Sequence, residues 1–286
     1  MKNRLVSTII LAPITIVVLF MFSLIQLTCF LLLLNILSIL EWNKLIIMSK
    51  IKKYICFAIF HVIPIILIIL ITFRTPKKIF YQYIQYVFIC ITLTWWLGAF
   101  FLLLFYPKSA KIWKKSTTLQ TLFGNLIIIP LFWSILILQQ ENYFVLHNNS
   151  IGTWKTLYVI ILTWGLDSSY YLIGKTLGKH KMSKTISPKK TWEGLIGGII
   201  ISSIIHLIFQ KYTILYYISH TTLNICFIII VLATILGDLT ESMFKRVANI
   251  KDTGKLIPGH GGILDRIDSL SAALPIFTCI ALLIKF

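Results

Sequence analysis

Apolar stretches long enough to cross a bilayer recur from one end of the chain to the other. A helix needs about 20 largely apolar residues to span about 30 Å of hydrocarbon. On that criterion spans are expected at 5–22, 23–40, 55–73, 84–106, 121–138, 156–173, 194–210, 216–236 and 269–284. The expected fold is therefore all-α, a polytopic integral membrane helix bundle of about nine transmembrane helices, with eight as the alternative. The first two spans share one uninterrupted run of 36 residues, so the turn between them is inferred from length alone. Hydrophobic residues make up 58% of the chain and charged ones 13%, against roughly half and a quarter in average soluble domains. An ordinary water-soluble globule is excluded. Lys2 and Arg4 ahead of the first run imitate a signal peptide, but the run is far longer than an h-region and lacks a small-x-small cleavage site; it is expected to be retained.

The formal net charge is +18. In a soluble protein such an excess would point to nucleic acid; here the basic residues sit in short connectors between apolar runs, where topology explains most of them. With nine spans and a cytoplasmic N-terminus, 21 of the 27 Lys and Arg residues fall on the cytoplasmic side. The remaining uses of that charge are an anionic lipid surface or a phosphate-rich substrate. No nucleic-acid partner is expected. Cys29, Cys56, Cys90, Cys226 and Cys279 lie in apolar runs without CxxC spacing and read as small buried hydrophobes. With neither a repeat nor a Ser/Gly/Pro-rich linker, residues 1–286 are expected to form a single membrane domain. Within it, 1–155 would be mainly scaffold, and 156–286 would carry the active site on spans and cytoplasmic loops.

Function should lie where the composition departs from itself. Seven of the nine acids fall between Asp167 and Asp268, and eleven of the fourteen glycines lie from Gly165 onward. Lys outnumbers Arg 23 to 4, yet Arg246 and Arg266 share one polar segment, 237–269; a planar guanidinium suits carboxylate or phosphate where an ammonium is only a point charge. If the span before this segment continues as helix, Asp238, Glu241, Ser242 and Lys245 fall at i, i+3, i+4 and i+7 on one face. Pro258 to Gly262 cannot be regular helix, and its glycines can turn successive N–H groups into an anion-binding nest. Asp265, Arg266 and Asp268 then open the last span. Carboxylates from two helix ends can hold a divalent cation that neutralises phosphate oxygens, while Lys, Arg and a glycine nest cradle the rest. That is equipment for phosphoryl or nucleotidyl chemistry. Upstream, Asp167 lies inside an apolar run, where an unpaired carboxylate costs at least about 2.5 kcal/mol, and its role is left open. Ser187-Pro188 marks a turn before a helix starting near Thr191, and Lys190 stands beside that helix start, a position that favours phosphate. His206 reads as polar packing.

The pattern Ser242-x-x-Lys245-Arg246, Lys251-Asp252, Pro258-x-His260-Gly261-Gly262 and Asp265-Arg266-x-Asp268 closely resembles the signature of bacterial phosphatidate cytidylyltransferases. Gly237-Asp238-Leu239-x-Glu241-Ser242, Ser187-Pro188-x-Lys190-Thr191-x-Glu193-Gly194, Glu41-Trp42 and Phe105-Tyr106-Pro107 resemble the same family, so the likeness extends over essentially the whole chain. The chain departs from the family near Asp167, where Ser169 and the bulky Tyr170 replace small residues, and at Lys189.

The resemblance implies an enzyme of the bacterial inner membrane that condenses CTP with phosphatidic acid, giving CDP-diacylglycerol and pyrophosphate, with Mg²⁺ and a monovalent cation such as K⁺ as cofactors. It implies Asp238, Asp265 and Asp268 as metal ligands and catalytic groups, alongside Lys245 and Arg246. Ser187, Lys190, Ser242, Lys251, Asp252, His260, Gly261, Gly262 and Arg266 would contact substrate. Membrane lipids are expected partners, and a homodimer is an open expectation. The rival readings are a CTP-dependent lipid-alcohol kinase, which would move the γ-phosphoryl group, and an anion transporter, which would spread intramembrane charge over inverted repeats.

Overall fold

The computed structural model describes residues 2–46, 78–144, 150–183, 185–254 and 261–285. Their helices are α1 (Lys2–Met21), α2 (Leu24–Leu45), α3 (Lys78–Leu104), α4 (Ala110–Trp113), α5 (Thr117–Phe144), α6 (Ile151–Thr176), α7 (Trp192–Tyr212), α8 (His220–Val247), α9 (Leu264–Ile267) and α10 (Leu270–Ile284), with a 3₁₀ turn at Ile214–Tyr217. Among these residues the only β pairing is an isolated bridge between Lys181 and Thr191. Five helices among the described residues, α2, α3, α5, α7 and α8, are long and apolar enough to cross a membrane, and α10 and the Ile10–Met21 part of α1 are shorter apolar helices. The protein is an all-helical, polytopic membrane protein. The expected span at 55–73 lies outside the described residues.

Two boundaries differ from expectation. The span placed at 216–236 begins only at His220, after the 3₁₀ turn, and runs unbroken to Val247. The last span does not open at Asp265: that residue sits on the separate one-turn helix α9, Asp268 follows it, and the long helix starts at Leu270. Hydropathy alone cannot see this break, because the apolar pattern continues through Leu264, Ile267 and Leu270.

The described chain forms two compact units, Met1–Ser134 with Phe244–Asp268, and Ile135–Met243 with Ser269–Phe286. In the first unit, α1 and α2 are joined by Phe22 and Ser23 alone. Ser23 closes a capping box with Gln26: the Gln26 amide donates to Ser23 Oγ, and the Ser23 amide donates to Gln26 Oε1. The turn inferred from length thus has a local chemical cause. Near the far end of α2, the Trp42 indole donates to the Gln120 carbonyl at 2.9 Å. Its ring fills the space that a side chain at Gly124 would need. Trp42, Trp113 and Phe123 surround Phe244, with ring centroids 4.7 to 5.9 Å from it. Cys29 and Cys90 are exposed rather than buried; on a helix facing hydrocarbon, a small apolar thiol needs no protein cover.

The second unit is built on the pairing of α6 with α7. Gly194 comes so close to α6 that a Cβ there would lie 2.7 Å from the Tyr170 carbonyl oxygen and 3.0 Å from Gly174 Cα. Small residues at such a seam let two helix backbones approach, which is how helices associate where lipid is as apolar as protein. Despite Tyr170, the packing near Asp167 is therefore close, because the glycines are on the facing turns. Deeper in the same unit, Tyr158 Oη lies 2.7 Å from His206 Nδ1, and His206 Nε2 lies 2.9 Å from Asn224 Oδ1. Both ring nitrogens are thereby satisfied, and the imidazole stacks on Phe227.

Candidate active site

In the first unit, the polar centre is Asp265, which is 8% exposed. Its Oδ1 accepts from Lys245 Nζ at 3.0 Å. Its Oδ2 accepts from the Gly262 amide and the Thr253 amide, each at 2.8 Å, and contacts the Thr253 hydroxyl at 3.0 Å. Burial opposes ionisation of this carboxyl; the Lys245 ammonium and the two amides more than offset it and hold its pKa below the ordinary aspartate value. Lys245 reaches it from the last turns of α8, where Phe244 is fixed in its aromatic surround. Gly261 has φ +92°, a left-handed conformation that suits glycine, and a Cβ there would lie 2.6 Å from Asp265 Oδ2. Of the glycine-rich turn, Gly261 and Gly262 are described, and the Gly262 amide donates to the chain's own Asp265 carboxylate.

Around this centre, Lys251, Asp252 and Arg266 are exposed, and Arg246, Asp268 and Gly261 are partly buried. His260 lies outside the described residues. Sequence reasoning overlooked Glu41 as a site residue. On α2 and 1% exposed, its Oε2 accepts from the Leu264 amide at 2.8 Å and contacts the Thr253 hydroxyl at 3.2 Å. One signal could have exposed it: Glu41 is the only acid in the first 140 residues.

In the second unit, the centre is Asp238. Its Oδ2 is ion-paired with Lys190, and its Oδ1 accepts from the Ser242 hydroxyl at 3.3 Å. The Lys190 ammonium also stands 5.4 Å from the centroid of the Tyr170 ring, whose hydroxyl points to Met182 Sδ at 3.5 Å. Asp238, Lys190, Tyr170 and Met182 line a small cavity together with Asp167, Leu166, Leu195, Thr234 and Ile235. Asp167 thus lines the same recess as the Lys190–Asp238 pair. Lys190 is delivered by local structure: its amide closes the Pro188 turn on the Ser187 carbonyl at 3.1 Å, and Thr191 caps α7 by accepting from the Gly194 amide. The Glu193 carboxylate holds the preceding loop by accepting from the Lys179 and His180 amides. The sequence placed the start of this helix correctly.

Each unit thus presents an aspartate neutralised by a lysine, in the pairs Lys190–Asp238 and Lys245–Asp265. Among the described residues no three His, Cys, Asp or Glu side chains are grouped to hold a metal ion by themselves. Magnesium does not require such a cage, since it is commonly held by one or two carboxylates together with substrate phosphates and water. Asp238 and Asp265 each offer hard carboxylate oxygens of the kind magnesium takes, and in this structure each holds a lysine ammonium.

The model of the cytidylyltransferase family matches residues 2–284. The chain is 38% identical over 292 residues to the phosphatidate cytidylyltransferase of Haemophilus influenzae, with 97% of each chain covered. It is 37% identical over 190 residues to the protein of that name from Pseudomonas aeruginosa, covering 66% of this chain and 67% of the relative. A third, from Rickettsia bellii, is 41% identical over 165 residues, covering 56% and 68%.

Proposed function

The chain belongs to the cytidylyltransferase family, and from that premise we propose that it condenses CTP with phosphatidic acid to give CDP-diacylglycerol and pyrophosphate. The full-length likeness to the Haemophilus protein carries this assignment. A phosphate oxygen of phosphatidic acid attacks the α-phosphorus of CTP; the new P–O bond forms as the bond from the α-phosphorus to the α,β-bridging oxygen breaks, and pyrophosphate leaves. The second pKa of a phosphate monoester is near 6, so the nucleophile is already ionised at neutral pH and needs no strong general base.

The demanding task is to bring two polyanions together. Lys190, Lys245, Arg246, Lys251 and Arg266 supply positive charge for it, and Ser187, Ser242, Asp252 and the His260-Gly261-Gly262 turn supply hydrogen bonds. Asp238, Asp265 and Asp268 are the carboxylates assigned to Mg²⁺, with K⁺ as a monovalent companion. When bound, Mg²⁺ would neutralise charge on the phosphate oxygens. Asp167 lines the recess around Lys190 and is assigned no chemical step. We place the protein in a bacterial inner membrane, N-terminus and basic connectors on the cytoplasmic side, where CTP is available.

Purified protein given CTP, phosphatidic acid and Mg²⁺ tests the assignment. Label from α-labelled CTP should enter the lipid phase as pyrophosphate accumulates. Entry of γ-label alone, with release of CDP, would overturn it in favour of a lipid kinase.

A further inference from the structure

We infer that Glu41 is a positioning residue for the reaction, setting Thr253 and the turn that carries Gly262, Leu264 and Asp265 from α2; this rests on the cytidylyltransferase activity proposed above. Three observations within the first unit lead there. First, Glu41 Oε2 accepts from the Leu264 amide, the residue immediately before Asp265, and contacts the Thr253 hydroxyl, which also contacts Asp265 Oδ2. A hydroxyl has one proton, so Thr253 stands between the two carboxylates and donates to one of them at a time. Second, Gly254 and Gly262 both lie against the Glu41 carboxylate so closely that a methyl group at either would overlap it. Two glycines leave room for this one side chain. Third, Glu41 Oε1 is buried with no hydrogen-bond partner among the described residues. Leaving that oxygen unpaired costs free energy that the fold must offset elsewhere.

The neighbouring residue completes the device. Trp42 packs on Phe244, and Phe244 is adjacent to Lys245. Glu41 and Trp42 thus bear on the two sides of the Lys245–Asp265 ion pair: Glu41 through Leu264 and Thr253, Trp42 through Phe244. Glu41 touches neither substrate nor Asp265 in this scheme; it acts by fixing the amides that hold Asp265.

The test uses the purified full-length protein, comparing Glu41→Ala, Glu41→Gln, Gly262→Ala and the double variant Glu41→Ala with Gly262→Ala. One to two lost hydrogen bonds to a charged group predict that Glu41→Ala lowers kcat about tenfold or more, with the KM for phosphatidic acid changed less than about twofold because ground-state binding is untouched. Glu41→Gln keeps an acceptor oxygen and should retain more of kcat than Glu41→Ala. Gly262→Ala should lose activity alone, yet add no loss to Glu41→Ala, since the side chain it strikes is gone. Hydrogen exchange gives a readout independent of turnover: the Thr253, Gly262 and Leu264 amides should exchange faster in Glu41→Ala while α3 and α5 stay protected. Wild-type kcat in either Glu41→Ala or Gly262→Ala, or unchanged exchange at those amides, overturns the inference. Should Glu41→Ala not purify as a folded protein, Glu41→Gln and Gly262→Ala decide it by the same measures. A wild-type protein that makes no lipid product would overturn the proposed reaction instead, and the exchange comparison would still decide the role of Glu41.

Discussion

Asp265 shows how much of a site depends on a single carboxylate. Its two oxygens collect an ammonium and two amides, and together these keep it ionised against its burial. A carboxyl whose pKa is lower in the folded than in the unfolded chain stabilises the fold fully above the ordinary value of 3.8 and loses that contribution as pH falls through the lower folded value. In thermal unfolding of the detergent-solubilised protein, the midpoint should therefore drop as pH is taken below about 4. Asp265→Asn should start from a lower midpoint at neutral pH, with Lys245 left uncompensated, and show a flatter dependence through that window. It should also form less than about a hundredth of the wild-type product, the usual scale for loss of an essential charged group. A steep acid transition retained in Asp265→Asn would assign the pH response to another group.

Among the helices, the α6–α7 seam makes the clearest contrast. At Gly194 an added methyl meets backbone atoms, the Tyr170 oxygen and Gly174 Cα, which cannot rotate away. At Gly98 on α3 nothing lies within 4 Å. Gly194→Ala should lower the thermal midpoint by the equivalent of about 1–3 kcal/mol of overpacking, whereas Gly98→Ala should leave it unchanged or raise it slightly, since alanine is the better helix former. Equal shifts would mean the seam is looser than its geometry indicates. Features of this kind divide what was legible in the sequence from what was not. The start of α7 could be read because Thr191 and the Ser187-Pro188 turn act within a few residues of each other, whereas the run of α8 to Val247 entered only as a condition on the shared face of Asp238, Glu241, Ser242 and Lys245. The seat of Trp42 against Gly124, the partners of Glu41 and the separate helix α9 could not, because each depends on a residue far away in the chain or on a break that apolar residues conceal. Asp238 and Asp265 stood out by their scarcity, but nothing local revealed which lysine each would take.

For the whole molecule, the distribution of basic residues makes a topological prediction. With the N-terminus inside, the connector bearing Lys189 faces the cytoplasm and the last turn of α7, bearing Lys211, faces the opposite side. Single cysteines introduced at these two positions should react with a membrane-impermeant maleimide from opposite faces of sealed vesicles of known orientation. Labelling of both from one face would contradict the assigned topology.

The bonds to Glu41 close loops of 212 and 223 residues. During synthesis, the second helix leaves the ribosome long before either donor exists, so this acid must wait for most of the polypeptide to be made. A chain that stalls before Thr253 is left with a carboxylate that neither donor has claimed. Completion of the protein is thereby recorded near its beginning, in whether one early side chain has found its late partners.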